Sequence, residues 1–255
     1  MSNATVVSNA DGQIVTILLN RPDRLNTITI PMMQRLRDAL EVAESSGARA
    51  IILTATGKGF CAGQNLENLA ATYKHHAPAV LGNVIAEHYN PVINCIHNLS
   101  IPVIAAVQGV AAGGGFYLAM ACDFRIAAKS ARFVPGLAKL GLAPCLGGSR
   151  ALIDAVGYAR AMEVTLGIDE LSAAEAYAGG LVNRCVDDDQ LLSTARALAQ
   201  RICDLPRRGV TLTKRLLRQA SAEVLEPTPK TESWIQSIAA SDPEHADRVK
   251  QFLSK

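Results

Sequence analysis

The feature that most constrains the fold is a short apolar run that leads into a glycine-rich turn. Residues 102–107 (Pro-Val-Ile-Ala-Ala-Val) predict a buried strand, and residues 109–115 contain four glycines. Residues 116–122 predict a helix, and residues 123–127 predict the next strand. Because strand, turn and helix recur along the chain, the sequence predicts an α/β fold.

The N-terminal part has the same alternation. Residues 12–19 and 50–54 predict strands, and a helix is predicted to begin at Pro31, since proline is favoured in a first turn. The apolar positions of this helix lie on one stripe: Met32, Leu36, Leu40 and Ala43. Residues 69–79 lack periodicity and predict a loop, whereas residues 80–99 predict a long helix that is kinked at Pro91.

The part of the chain after Ser172 is predicted to be almost entirely helical. Ser172 and Glu175 have the spacing of a capping box. Three amphipathic segments follow, at residues 187–201, 209–223 and 242–252. A shift in composition near residue 200 predicts an α/β core over residues 1–200 and a helical segment over residues 201–255, which packs on the core or on another subunit.

Composition excludes several classes of partner. The formal net charge is +2 and the Lys and Arg residues are scattered, so neither nucleic acid nor a membrane surface is an expected partner. No apolar run reaches the roughly 18 residues of a membrane span, and the N-terminus lacks a signal sequence, which predicts a cytoplasmic protein. The 6 cysteines are widely spaced without a zinc-binding pattern, which predicts reduced, mostly buried thiols and no metal site.

Two glycine-containing turns, at residues 60–64 and 109–115, are the candidate functional motifs. Each could direct backbone N–H groups outward, and a thioester carbonyl that becomes an enolate or a tetrahedral oxyanion needs two such donors. Glycines at a strand-to-helix turn also serve backbone conformation or close packing alone, so a purely structural role stays open. Leu118 stands where a dinucleotide-binding motif would have its third glycine, which disfavours a nicotinamide dehydrogenase.

In order and spacing, several motifs resemble the crotonase (enoyl-CoA hydratase/isomerase) superfamily over essentially the whole chain. These are residues 57–63 with Leu66, residues 101–109, residues 113–119, Cys122-Asp123, Gly147-Gly148, Arg21-Pro22 with Asn26, and residues 171–173 with Ala176. The resemblance implies a crotonase spiral of ββα units with a helical C-terminal oligomerisation segment. It also implies a homo-oligomer, either a trimer or a dimer of trimers, and an acyl-CoA substrate. Coenzyme A is then part of the substrate, and no separate cofactor is expected.

The resemblance also assigns roles to individual residues. It implies an oxyanion hole formed by the N–H groups of Gln64 and Gly114. It places other residues around the substrate: Arg24, Ala62, Asn65, Leu66, Tyr89, Asn90 and Leu137. Arg24 and the loop from Ala62 to Leu66 are expected near the nucleotide of coenzyme A.

Two departures from the family pattern affect the predicted reaction. Hydratases of this family have one glutamate two residues after the triple glycine and another in the following loop, where this chain has Tyr117 and Leu137. Each lost proton transfer is worth about 100- to 10,000-fold in rate. The sequence therefore predicts an isomerase-like reaction rather than ordinary hydration.

Residues 140–148 and Tyr89-Asn90-Pro91 resemble the epoxyphenylacetyl-CoA isomerase branch, in which an aspartate stands at the position of Cys145. The Cys145 thiol is thus a candidate acid, base or nucleophile, or alternatively a small apolar filler. Tyr117 is a candidate proton donor or a pocket wall. Glu87 and His88 are candidate substitutes for the missing glutamates.

Two other functions remain as alternatives. One is a non-catalytic acyl-CoA-binding subunit that keeps the fold without turnover. The other is a serine hydrolase, because residues 147–151 loosely resemble a nucleophile elbow. The poor strand before this segment and the position of His245 in a C-terminal helix disfavour the hydrolase.

Overall fold

The structure, a computed structural model, describes residues 4–73, 80–168, 170–222, 229–241 and 243–254. Its strands are β1 (Val6–Asp11), β2 (Ile14–Leu19), β3 (Ala50–Ala55), β4 (Val103–Val107), β5 (Val110–Ala112), β6 (Phe124–Ala128), β7 (Arg132–Val134), β8 (Leu171–Ser172) and β9 (Arg184–Val186). Its helices are α1 (Ile30–Ser45), α2 (Leu66–Tyr73), α3 (Val80–Val84), α4 (Asn90–Asn98), α5 (Gly114–Ala121), α6 (Gly148–Met162), α7 (Ala173–Ala178), α8 (Leu191–Asp204), α9 (Arg207–Ala222), α10 (Pro229–Ala240) and α11 (Pro243–Leu253).

The central sheet has the order β1-β2-β3-β4-β6-β9. β1 is antiparallel to β2, and every other neighbouring pair in this sheet is parallel. The strands predicted at residues 12–19, 50–54, 102–107 and 123–127 are confirmed as β2, β3, β4 and β6. A second sheet, β5-β7-β8, begins in the glycine-rich turn that follows β4.

Both faces of the central sheet are covered, as a parallel sheet requires. Ile51 and Leu53 of β3 belong to the larger apolar core with the buried stripe of α1. Ala50 and Ile52 point to the opposite face and pack with α8. The predicted stripe of α1 is confirmed, since Met32, Leu36, Leu40 and Ala43 are all buried.

The first turn of α1 and the capping box of α7 are also confirmed. The Thr29 side chain caps α1 by accepting a hydrogen bond from the N–H of Met32, and Pro31 lies in the first turn. Ser172 caps α7, and its N–H is accepted by the Glu175 carboxylate at 2.8 Å. Local capping chemistry therefore sets where both helices begin.

The segment between β3 and β4 differs from expectation in two places. The loop predicted at residues 69–79 is wrong for residues 69–73, which belong to α2, because tertiary packing against α11 stabilises this short helix. Residues 74–79 of that prediction lie outside the described residues. The helix predicted at residues 80–99 consists of α3, a π-helical turn (Ile85–Tyr89) and α4, with Pro91 in the first turn of α4.

The C-terminal helices match the predicted segments, and one helix was missed. Residues 187–201, 209–223 and 242–252 correspond to α8, α9 and α11, although Glu223 and Asp242 lie outside the described residues. α10 was not predicted, because prolines punctuate that part of the sequence. Residue 200 lies within α8, and the division into segments 1–200 and 201–255 stays a prediction.

Three further properties bear on the expected function classes. In the described part of the chain, no helix is long and apolar enough to cross a membrane. Within the same residues, no cluster of three or more His, Cys, Asp or Glu side chains could hold a metal ion. No disulfide joins any of the six cysteines, and Cys61, Cys122, Cys145 and Cys203 are buried.

A buried ion cluster attaches α9 to the core. Lys214 Nζ lies 2.8 Å from Asp123 Oδ2 and donates to the carbonyls of Ile96 and Ile101, each at 2.9 Å. Arg218 Nη2 lies 2.8 Å from Asp123 Oδ1. Burial alone would raise the pKa of Asp123, but the positive charges of Lys214 and Arg218 outweigh it and hold that pKa below its usual value.

We expect Lys214→Ala to lower the free energy of unfolding by about 3 to 5 kcal/mol, because it leaves the buried Asp123 with an incomplete set of partners. Urea unfolding at neutral pH measures this loss. The matched control is Lys250→Ala, whose pair with Asp247 at 3.2 Å is exposed and should contribute less than about 1 kcal/mol. Equal effects of the two substitutions would contradict a structural role for the cluster.

Candidate active site

The two glycine-containing turns of the sequence lie against each other. The N–H of Cys61 donates to the carbonyl of Val110 at 3.1 Å, and the N–H of Ala112 donates to the carbonyl of Cys61 at 2.9 Å. Gly63 has a φ of +82°, and a Cβ there would lie 2.6 Å from the carbonyl oxygen of Ala112. Only glycine fits this position, so the contact between the two turns depends on it.

Backbone pairing sets the direction of the Gln64 N–H. The N–H of Ile28 donates to the carbonyl of Gly63 at 2.7 Å, and the N–H of Asn65 donates to the carbonyl of Ile28 at 3.4 Å. Gln64 is the residue between these two bonds and pairs with Ile28 in a parallel bridge. Because alternate residues of such a segment face opposite ways, the N–H of Gln64 is directed away from Ile28.

The second N–H belongs to the first residue of α5. The N–H of Gly113 is already paired, since it donates to the carbonyl of Val134 at 2.8 Å. The next N–H along the chain is that of Gly114. The first N–H groups of a helix have no acceptor within the helix. The nitrogen of Gly114 lies 3.2 Å from the place of a Gly63 Cβ, so the two predicted donors occupy adjoining loops.

The triple glycine also has the structural role left open above. A Cβ at Gly115 would lie 2.1 Å from the carbonyl oxygen of Cys61. Close packing therefore requires Gly115, and Gly114 lines the cavity. The structural interpretation of the motif is confirmed at Gly115, and the oxyanion hole stays a prediction.

The two donors lie on the wall of a cavity of about 610 Å³. Apolar side chains make up most of the wall: Ile28, Leu66, Leu69, Leu81, Ile85, Val134, Leu137, Leu140, Leu142, Leu146 and Phe252. The polar side chains of the wall are Gln64, Tyr89, Lys139, Cys145, Gln236 and Gln251. A mostly apolar cavity with a few convergent polar groups is typical of a small-molecule site.

The predicted site residues divide into two groups. Seven line the cavity: Ala62, Gln64, Leu66, Tyr89, Gly114, Leu137 and Cys145. The others, Arg24, Asn65, Asn90 and Tyr117, do not line it. Arg24 is exposed at 3.9 Å from Glu67, and the buried Asn90 side chain donates to Ser233 Oγ at 2.9 Å.

Tyr117 lies in the core. Its side chain is fully buried, edge-on to Phe116 with ring centroids 5.1 Å apart. A Cβ at Gly148 would lie 2.0 Å from Tyr117 Cδ1, so the ring packs directly against the start of α6. This position supports packing rather than proton transfer by Tyr117.

Tyr89 lines the cavity, whereas Tyr117 does not. Tyr89 lies on the π-helical turn before α4, is 4% exposed, and its hydroxyl forms a hydrogen bond with the Gln64 side chain. Burial raises the pKa of Tyr89 to about 12; the hydrogen bond from Gln64 opposes this rise, and the neighbouring Cys145 adds to it. Tyr89, Gln64 and Cys145 therefore form one cluster, in which the tyrosine hydroxyl keeps its proton at neutral pH.

Acidic and imidazole side chains do not contribute to the described cavity wall. Glu87 is exposed and His88 is half-buried, and neither lines the cavity. His245 is buried, its Nδ1 lies at the carbonyl oxygen of Leu140, and it does not line the cavity. Cys145, Tyr89 and Lys139 are thus the titratable groups of the described wall.

Several lining residues were not predicted. Leu81 and Ile85 come from α3 and its π-helical turn, and Gln236, Gln251 and Phe252 come from α10 and α11. Helical periodicity gives the apolar face of a segment but not the distant segment that it meets. The exposed Lys139 carries no motif that would have identified it.

The chain matches the family model described as enoyl-CoA hydratase/isomerase over residues 9–255. It is 37% identical over 251 residues to the 1,2-epoxyphenylacetyl-CoA isomerase of Escherichia coli K12, covering 98% of this chain and 95% of that protein. These matches extend over both glycine-containing turns and the C-terminal helices.

Solved structures show the same relationship. An enoyl-CoA hydratase from Mycobacterium avium subsp. paratuberculosis superposes with a TM-score of 0.86 at 29% identity, covering 98% of this chain and 99% of that one. A monofunctional enoyl-CoA isomerase from M. smegmatis superposes with a TM-score of 0.73 at 34% identity, covering 89% and 98%. The chain therefore has the crotonase fold and belongs to the enoyl-CoA hydratase/isomerase family.

Proposed function

We propose that the protein binds an acyl-CoA thioester, stabilises its enolate, and moves a proton along the acyl group in an isomerase-like reaction. The observation that carries this proposal is the pair of N–H donors, at Gln64 and Gly114, on the wall of one apolar cavity. Membership of a family of acyl-CoA enzymes supports the substrate class.

The two N–H groups account for enolate formation. When a proton leaves the carbon next to the thioester, negative charge develops on the carbonyl oxygen. Two fixed donors stabilise this charge without reorganisation, and each is worth about 3 to 4 kcal/mol in comparable sites. The apolar wall strengthens the effect by excluding water.

Cys145 is the proposed proton carrier. As a thiolate it would take the proton from one carbon of the acyl group and, as a thiol, return it to another, so that no water is consumed. Tyr89 keeps its own proton and lies close enough to interact with Cys145 electrostatically.

Positive side chains near the cavity suit the phosphates of coenzyme A. Lys139 is exposed on the wall, and Arg24 is exposed beside the start of α2. Coenzyme A enters this reaction as part of the substrate, and the proposed proton transfer uses no separate cofactor.

A non-catalytic acyl-CoA-binding subunit is the second candidate function. The observation in its favour is that the described wall includes no acidic side chain. Tyr117 and Leu137 stand where hydratases of the family have their two glutamates. This alternative keeps the oxyanion hole and acyl-CoA binding, and differs in lacking turnover.

Gly114→Pro tests the oxyanion hole, because proline removes the N–H and is tolerated in the first turn of a helix. We expect the affinity for acetoacetyl-CoA, which binds as an enolate, to fall at least about 100-fold. Isothermal titration calorimetry measures the loss. Gly114→Ala is the control, since it keeps the N–H and its Cβ would lie 3.0 Å from the side chain of Ile28. An equal loss in both variants would assign the effect to crowding.

Cys145→Ser tests the proton carrier and separates the two candidate functions. If Cys145 carries the proton, turnover of the acyl-CoA that the enzyme isomerises falls at least about 100-fold while binding is unchanged. A panel of enoyl-CoAs followed by proton NMR identifies that compound. Cys203→Ser is the matched control, because Cys203 is equally buried, at 6% exposure, and lies on α8 away from the cavity. Full activity of Cys145→Ser would mean that the thiol only fills space, and no turnover of any compound by the wild type would support the binding subunit.

The same proposal includes a homo-oligomer, either a trimer or a dimer of trimers. α9 exposes three leucines, Leu212, Leu216 and Leu217, with exposed fractions of 51%, 66% and 66%. Adjacent apolar side chains of this kind are typical of a protein–protein interface.

We expect the double variant Leu212→Glu with Leu216→Glu to form a smaller assembly than the wild type at micromolar concentration, because it places charges in the proposed subunit interface. Sedimentation velocity measures the change. Val42→Glu is the control, since Val42 is an apolar residue on α1 that is 64% exposed. This substitution should leave the mass of the assembly unchanged. A monomeric wild type would contradict the oligomer.

A further inference from the structure

His97, near the end of α4, joins this helix to the end of α5. Its Nε2 is buried and accepts no hydrogen bond from the residues that the structure describes, so the ring bonds through Nδ1. Nδ1 donates to the carbonyl of Ala121, the last residue of α5. The two helices, which begin at Asn90 and Gly114, are therefore fixed to each other at their far ends.

The same ring lies against the turn that carries Cys145. A Cβ at Gly147 would lie 3.8 Å from His97 Cε1 and 3.6 Å from Ile93 Cγ2, so α4 packs closely on this turn. The N–H of Gly148 donates to the carbonyl of Cys145 at 2.9 Å and closes the turn. His97 thus contacts both α5 and the turn.

The backbone of this turn is strained. Leu146 has a φ of +58°, which is unusual for a bulky residue and persists only where the surrounding structure enforces it. Leu146 is 1% exposed, and its Cδ1 lies 3.6 Å from the place of a Gly114 Cβ. Contacts with α4 and α5 therefore hold a conformation that the turn alone would not favour.

The three elements that meet around His97 each contribute one residue to the cavity wall. Tyr89 directly precedes α4, Gly114 begins α5, and Cys145 begins the turn. α4 has 9 residues and α5 has 8, so each spans only about 12 to 14 Å. Contacts at one end of such short helices restrict the spacing of the three lining residues.

A histidine would be a costly choice if this position served packing alone. Burial is the main cause that lowers the pKa of His97 to about 3. The nearby charges of Arg218 and Lys214 act in the same direction, and that of Asp123 opposes them. The ring is therefore neutral at working pH, and Nδ1 keeps the proton that it donates. A leucine would fill this space without burying a nitrogen that lacks a donor.

We propose that His97 is a positioning residue for Cys145, which holds the turn against α4 and α5 so that the thiol faces the acyl group. This inference rests on the proposed function, in which the cavity holds the acyl group beside Cys145. His97 itself does not line the cavity, so it acts through the turn rather than by contact with the substrate.

Two substitutions of His97 test this role. His97→Leu removes the N–H donor, whereas His97→Asn keeps an amide N–H close to the place of Nδ1. We expect His97→Leu to lower kcat about 10- to 100-fold with KM unchanged, because a displacement of about 1 Å at a reacting group has an effect of this size. His97→Asn should retain most of kcat.

Cys95→Ala is the matched control on the same helix. Cys95 is half-buried and lies on the side of α4 that faces charged residues of α1. This substitution changes the packing of α4 without touching the turn, and it should leave both kcat and KM unchanged.

Alkylation of Cys145 by iodoacetamide, followed by peptide mass spectrometry, gives a second readout that requires no turnover. Saturating acetoacetyl-CoA should protect Cys145 in the wild type and in His97→Asn. In His97→Leu, at equal occupancy measured by calorimetry, most of this protection should be lost. A purely structural role would lower the unfolding midpoint without changing protection at equal occupancy.

Three results would overturn the inference alone: folded His97→Leu keeps the wild-type kcat and protection, His97→Asn loses as much as His97→Leu, or neither variant folds. In the last case His97 serves the fold rather than the thiol. The proposed function fails instead if the wild type binds no acyl-CoA, or if bound acetoacetyl-CoA leaves its Cys145 open to alkylation.

Discussion

The contact between the turn after β3 and the turn before α5 is the constraint on which the site depends. It joins Cys61 to Val110 and Ala112 by backbone hydrogen bonds, and it requires glycine at position 63. The same contact brings the nitrogen of Gly114 next to the loop that contains Gln64. A side chain at Gly63 would therefore disturb both the fold and the oxyanion hole that we propose.

The remaining walls of the cavity determine which reaction the proposed oxyanion hole can support. Tyr89, Gln64 and Cys145 form the polar cluster on one side, and the C-terminal helices close another side with Gln236. Carboxylates are absent from the described wall. The proton transfer that we propose within the bound acyl group differs from hydration in that it activates no water.

Much of this arrangement could be predicted from the sequence, because glycine turns, apolar runs and helix caps are local signals. These signals predicted β2, β3, β4 and β6, the start of α1, and the two glycine-containing turns that line the cavity. The burial of Tyr117 in the core could not be predicted, since its packing against Gly148 depends on how α5 meets α6. Gln236 was missed for the same reason: its place on the cavity wall depends on how α10 packs against α3 and the neighbouring elements.

Hydrogen–deuterium exchange at the carbon next to the thioester tests the central claim most directly. Butyryl-CoA has no double bond to shift, so its exchange in D₂O, followed by proton NMR, reports enolate formation alone. The wild type should catalyse this exchange well above the rate in buffer, and Gly114→Pro should not. Bound butyryl-CoA that exchanges no faster with the wild type than in buffer would contradict enolate stabilisation by the Gln64 and Gly114 N–H groups.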